Sequence, residues 1–309
     1  MTWMIPLSLF CLSAAQGAIP VILDTDIGDD IDDTWALCQA LGSPDIDLKL
    51  ITVAAHNTPL KARLAAKILE RAGRTDIPLG IGKKTKDSPI NQEKWLDGYT
   101  LDQYKGTVHQ DGVQALIDTI KSSKEPITLC AIGPLTNLAE ALRRDPSIAA
   151  KARLVLMFGS VRIGYAGKPS PDPEWNVVCD IPAAQAVFAA PWDITIAPLD
   201  TCGNLRIDGE DYARVIKSET KRARIVVENY DQWKNRDQNP KDSSSILFDT
   251  QAMYMTRSTD FLTMETVKLR VEDKGMTLED PNGRPVHCAL GWKDEAGFKK
   301  ALVEALTRP

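Results

Sequence analysis

The 309-residue chain predicts an α/β fold of three layers, with a mostly parallel central sheet between helices. Short apolar runs alternate with stretches of helical periodicity through the first two hundred residues. A hydrophobic fraction of 43% supplies a sizeable core. Polar residues stand directly behind several of the apolar runs, where open parallel sheets bind ligands.

The elements follow in order. IPVIL (19–23) reads as a strand and DDTWALCQAL (32–41) as a helix. LKLITVAA (48–55) is the next strand, and LKARLAAKILERAG (60–73) a helix closed by Gly73. IPLGIG (77–82), ITLCAIG (127–133), ARLVLMFG (152–159) and DITIAPLD (193–200) read as further strands. GVQALIDTIKSS (112–123), LTNLAEALRRD (135–145) and IPAAQAVFAA (181–190) are the helices between them. The last third is less regular. Residues 212–236 form one or two helices, SSSILFDTQAMYMT (243–256) a helix with capping serines, 266–280 a hairpin turning at 273–275, and 294–306 an amphipathic terminal helix.

Composition bounds the function. A net charge of −5 argues against a nucleic-acid partner, and no apolar stretch reaches the roughly 20 residues a membrane-spanning helix needs. Residues 1–18 have the outline of a secretory signal peptide, apolar and then small-residue, although they lack a basic start. The expectation is a secreted or periplasmic protein with one domain over 19–309. Cys38, Cys130, Cys179, Cys202 and Cys288 show neither a disulfide framework nor zinc spacing.

The chemistry-bearing stretch is VILDTDIGDDIDDTWAL (21–37), with six aspartates between Asp24 and Asp33. One or two acids serve to cap a helix and complement its dipole, but not six. An EF-hand fails on spacing, since counting from Asp24 puts Gly28 fifth and Trp35 twelfth. A phosphatase with Asp24 as nucleophile and Asp26 as acid/base would carry Thr or Val where Gly28 stands. A hard divalent cation held by oxygens accounts for the cluster best. Asp249 and a backbone carbonyl from GPLTN (133–137) are candidates for its further ligands.

Several motifs in order resemble the inosine-uridine-preferring nucleoside hydrolases. They are the Asp-rich stretch, with two extra residues, and then ITVAAHN, AIGPLTNLAEAL, LVLMFGS, PEWNVVCDIPAAQAV and LFDTQAM, together running from about residue 20 to 280. The resemblance implies a Rossmann-like nucleoside hydrolase fold and Ca²⁺-dependent cleavage of the N-glycosidic bond of ribonucleosides for salvage. It implies Asp26 as general base and Ca²⁺ ligand, with Asp33, Asp249 and the Thr136 carbonyl completing the site and Asp30 as an additional ligand candidate. Asp32, Asn57, Met157, Glu174 and Asn176 would hold the ribosyl group. The two extra residues leave Asp30 and Asp32 competing for the sugar-binding place. Family members commonly form dimers or tetramers, so a homo-oligomer is expected.

Phe248 stands where some members place a His that protonates the leaving base. His56, Tyr230, Trp233, Phe248 and Tyr254 are therefore expected to shape the base pocket. The alternative function is a non-catalytic, Ca²⁺-dependent ribose- or sugar-binding protein of the same fold.

Overall fold

The computed structural model describes residues 17–309. The expected signal segment, apart from Gly17 and Ala18, lies outside the described residues. Ten strands form one sheet: β1 (Ile19–Thr25), β2 (Ile46–Val53), β3 (Leu79–Ile81), β4 (Val108–His109), β5 (Ile127–Ala131), β6 (Ala152–Met157), β7 (Asp193–Ala197), β8 (Leu262–Val271), β9 (Thr277–Glu279) and β10 (Arg284–Trp292). Their spatial order is β4-β3-β2-β1-β5-β6-β7-β10-β8-β9. The strands from β4 to β10 in that order pair in parallel, while β8 and β9 add an antiparallel edge. The α/β architecture expected from the alternating pattern is the one observed.

Each buried strand feeds both faces of the sheet, because successive side chains point to opposite sides. Val21 and Leu23 enter one core cluster and Ile22 the other. Val155 and Met157 divide from Leu154 and Leu156 in the same way. Helices Asp32–Leu41, Thr58–Ala72, Lys221–Gln232, Phe248–Met255 and Glu295–Thr307 cover the first face. Helices Gly112–Ser122, Thr136–Arg144 and Ile181–Ala189 cover the second. Among the described residues no helix is long and apolar enough to cross a membrane.

The chain lays β2, β3 and β4 outward on one side of β1, then returns to place β5 on its other side. The two loops that leave β1 and β5 therefore diverge to opposite faces, opening a crevice at the carboxyl ends of these strands. Several sequence-derived boundaries shift. The helix expected from residue 243 starts at Phe248, because Ser244 instead bonds the Ile207 main chain and Ser243 pairs with Asp208 in a bridge. β10 was not anticipated: its exposed and buried residues break alternation near Ala289, where the register with β8 shifts.

Leu23 lies fully buried on central β1, opposite Ile51 and Cys130. Leu23→Ala is expected to cost about 2–5 kcal/mol, read as a lower urea midpoint at unchanged slope. A change well below 1 kcal/mol would contradict the central placement of this strand.

Candidate active site

The carboxyl ends of β1, β2, β5 and β6 meet in a cavity of about 580 Å³. Its floor is acidic. Asp32 and Asp33 open the first helix, and Asp249 sits in the first turn of helix Phe248–Met255, which packs on that helix. One carboxylate oxygen from each of the three can be chosen so that all lie within 4.8 Å of one another, and all three residues are buried. Asp26 lines the same cavity and is also buried.

The surrounding structure holds these acids in place. Asp24, fully buried in β1, accepts hydrogen bonds from Thr52 on β2 and, at 2.8 Å, from Asn137 Nδ2. Thr25 donates its hydroxyl to Asp33, tying the helix start to the strand end. Gly133 follows β5 against Asp26; a Cβ there would lie 2.8 Å from Asp26 Oδ1 and 2.9 Å from Asp26 N, so the close approach requires glycine. Lys61, fully buried, donates to the Asp26 carbonyl at 2.8 Å and to Asp29 Oδ2 at 2.7 Å.

Across the cavity, Glu174 caps the short helix Trp175–Cys179. Its carboxylate accepts from the N–H groups of Asn176 at 2.8 Å, Gly159 at 3.1 Å and Val177 at 3.4 Å. Asn176 Nδ2 donates to the Met157 carbonyl at 3.2 Å, which fixes the amide at the end of β6. Phe248 meets Tyr165 edge-on at 6.1 Å, and Tyr165 accepts from the Trp175 N–H at 2.9 Å. These three aromatics line one wall, with Trp175 54% exposed at the mouth.

The electrostatics are those of uncompensated acids. Burial, then repulsion by their neighbours, pushes Asp32, Asp33 and Asp249 well above the usual carboxylate range. Burial raises Asp26 to about 8 against the pull of the Lys61 charge, and Glu174 to about 7 against three backbone donors. Three buried carboxylates with oxygens this close form a donor set that fits a hard divalent metal. Asp32, Asp33 and Asp249 would hold such an ion, with Asp26 beside them.

The structure places the sequence-predicted residues as follows. Asp26, Asp30, Asp32, Asp33, Met157, Glu174, Asn176, His56, Phe248 and Asp249 all line the cavity. Asp32, and not Asp30, joins the acidic trio; Asp30 turns an oxygen back to the Ile31 N–H at 2.6 Å. Thr136 starts its helix and gives its hydroxyl to Asp180 at 2.6 Å, outside the cavity lining.

Four more of the expected residues do not line the cavity. Asn57 caps helix Thr58–Ala72 and bonds the Ser88 carbonyl, so His56 is the residue after β2 that faces the cavity. Tyr230 and Trp233 stack on each other at 5.8 Å within the core, and Tyr254 packs against Phe261 and Phe298. None of these three lines the site. Their helical spacing reflected core packing. The aromatic wall uses Tyr165 and Trp175 with Phe248; Trp175 lies within PEWN, between Glu174 and Asn176, and that adjacency is its signal in the sequence. A second depression, about 630 Å³ beside helix Gly112–Ser122, contains His109 but no converging buried acids.

The pH dependence of stability follows from these shifts. A carboxyl whose pKa is higher folded than unfolded favours folding while protonated, and that contribution is lost as pH rises through its folded value. For Asp26 and Glu174 the losses run from ordinary values of 3.8 and 4.5 up to about 8 and 7. Chelator-treated protein is therefore expected to melt at a lower temperature at pH 8 than at pH 5.5, and saturating divalent cation should restore most of the difference. Calorimetric scans at both pH values, with and without the ion, check this; a metal-independent profile would contradict the cation assignment.

Comparison with known proteins agrees with this geometry. A pyrimidine-specific ribonucleoside hydrolase of Escherichia coli O1:K1 is 34% identical over 208 residues, covering 64% of this chain and 65% of the relative's length, just under two thirds. A non-specific ribonucleoside hydrolase of Klebsiella pneumoniae is 27% identical over 308 residues, covering 93% of this chain and 98% of the relative. The solved structure of a plant nucleoside hydrolase superposes with a TM-score of 0.81 at 25% identity, covering 94% of this chain and 99% of that one. The family profile "Inosine-uridine preferring nucleoside hydrolase" matches residues 21–302, and the chain belongs to that family.

Proposed function

We propose that this protein hydrolyses the N-glycosidic bond of ribonucleosides, with Ca²⁺ as its metal, releasing ribose and free base for salvage. The observation that carries the reading is the buried trio Asp32, Asp33 and Asp249, with Asp26 beside it, facing Glu174 and Asn176 across one cavity. The names of the relatives, pyrimidine-specific and non-specific ribonucleoside hydrolases, support the substrate class. The all-oxygen donor set supports Ca²⁺ over softer metals.

A bound cation supplies positive charge that offsets the carboxylates' repulsion and makes water a stronger acid. Asp26, buried beside the trio and lining the cavity, takes a proton from the attacking water. Water oxygen bonds to the anomeric carbon as the carbon–nitrogen bond breaks, and the base leaves with the electron pair and takes up a proton. Positive charge develops on the sugar during this step, as in other glycoside cleavages. The carboxylates of Asp26 and Glu174 stabilise it, and Asn176, anchored on the Met157 carbonyl, orients a hydroxyl. The base stacks on the wall of Tyr165, Trp175 and Phe248. Phe248 cannot donate a proton, so stacking and solvent replace a His acid at that place.

The apolar outline of residues 1–18 supports export to the periplasm or exterior, and the family resemblance supports a dimer or tetramer. Two outcomes test the catalytic reading. Free base should appear from inosine or uridine only when Ca²⁺ is present, and Asp26→Asn should lower kcat about 10²–10⁴-fold with little change in KM. Calorimetric binding of ribose without any release of base by the wild-type protein would instead support a non-catalytic sugar receptor. Trp175→Ala should raise KM for nucleosides several-fold while leaving the affinity for free ribose unchanged.

A further inference from the structure

His56 occupies a position that the fold holds at some conformational expense. It and Ala55 both adopt left-handed backbone, at φ 52° and 58°, a region uncommon for residues other than Gly; Asn, Asp and His enter it more readily than most, Ala does not. The loop after β3 pins that conformation. The His56 N–H donates to Thr85 Oγ1 at 2.8 Å, and its carbonyl accepts from the N–H groups of Thr85 and Lys86 at 3.0 and 3.3 Å. The result is an imidazole on the wall of the acidic cavity, with its side chain 27% exposed.

The ring is also oriented. His56 Nδ1 lies 2.9 Å from Asp29 Oδ2, the same oxygen that takes the Lys61 ammonium at 2.7 Å. An oxygen that already accepts from an ammonium holds the ring by accepting from Nδ1–H. With its Nδ1–H on a carboxylate oxygen shared with Lys61, the imidazole is held in one orientation. That tautomer leaves Nε2 as a lone-pair acceptor, and among the described residues it has no hydrogen-bond partner. Asp29 belongs to the stretch that carries the two extra residues of the Asp-rich loop.

We propose that His56, oriented by Asp29, binds substrate directly, its Nε2 accepting a hydrogen bond from a hydroxyl of the ribosyl group. The assignment rests on the nucleoside reading above. A sugar contact is favoured over a base contact by placement: Lys61 links Asp29 to the main chain of Asp26 on the acidic floor. The stacking surface for a base is formed by Tyr165, Trp175 and Phe248. Asp29 is a positioning residue that acts through His56.

The test compares a ribonucleoside with its 2′-deoxy and 3′-deoxy analogues in the Ca²⁺-loaded full chain. His56→Gly removes the ring and suits a positive φ; His56→Asn keeps a short polar group that tolerates the same backbone. His56→Gly should lower kcat/KM on the ribonucleoside about tenfold while leaving it unchanged on the one analogue that lacks the contacted hydroxyl. His56→Asn should recover part of the loss, and Asp29→Asn should narrow the ribo-to-deoxy ratio in the same direction. An equal loss on all three substrates overturns the proposal. So does a loss that vanishes with p-nitrophenyl riboside, which would make His56 a proton donor to the base. Calorimetric Kd values for ribose, 2-deoxyribose and 3-deoxyribose repeat the comparison without turnover. Absence of base release by the wild type then refutes the hydrolytic reading alone, whereas a sugar selectivity unchanged in His56→Gly refutes the role of His56.

Discussion

The structure depends on a balance of charge at the carboxyl ends of its central strands. Asp24, Asp26, Asp32, Asp33, Glu174 and Asp249 are all buried there, and Lys61 is the one buried cationic side chain among the described residues. Removing carboxylates from water at such density is costly unless they are protonated or paired. Backbone donors relieve Glu174, and Thr52 and Asn137 relieve Asp24. Asp33 has only the Thr25 hydroxyl, too little for three carboxylates this close, and the trio needs either protons or a divalent ion. The fold thus gathers oxygen donors that fit a hard cation at the carboxyl ends of its central strands.

The topology makes that arrangement possible. Reversal of strand order between β1 and β5 parts the loops and leaves a crevice above the central strands. Cross-ties hold its rim: Asp24 joins β1 to β2 and to helix Thr136–Arg144, and Thr25 joins β1 to the first helix. Lys61 reaches from the second helix to the main chain of Asp26. The Thr25 tie is local, but the others span elements distant in sequence, so the acidic loop is positioned by the core as well as by its own contacts.

Strand and helix order through residue 200 was legible because buried parallel strands and amphipathic helices carry opposite periodicities. The edges were less so. β4 has only two residues, Val108 and His109, too few to show a pattern, and β10 carries a register shift that interrupts alternation. The acid cluster was legible as a metal site because no structural role consumes so many carboxylates. The aromatic wall was not. Tyr230, Trp233 and Tyr254 have the spacing of a pocket and the burial of a core, and one-dimensional pattern does not separate the two.

By itself, the sequence determined the alternating architecture, the family motifs and the residue types of the site, since periodicity and local composition are properties of the chain read in order. Only the tertiary structure decided which side chains share the cavity. Asp32 rather than Asp30 completes the trio because the first helix begins there and aims it at Asp249. His56 rather than Asn57 lines the cavity, at a turn of two left-handed residues, while Asn57 caps the helix that follows. Both outcomes turn on backbone direction at a single residue, which depends on contacts made by segments far away along the chain.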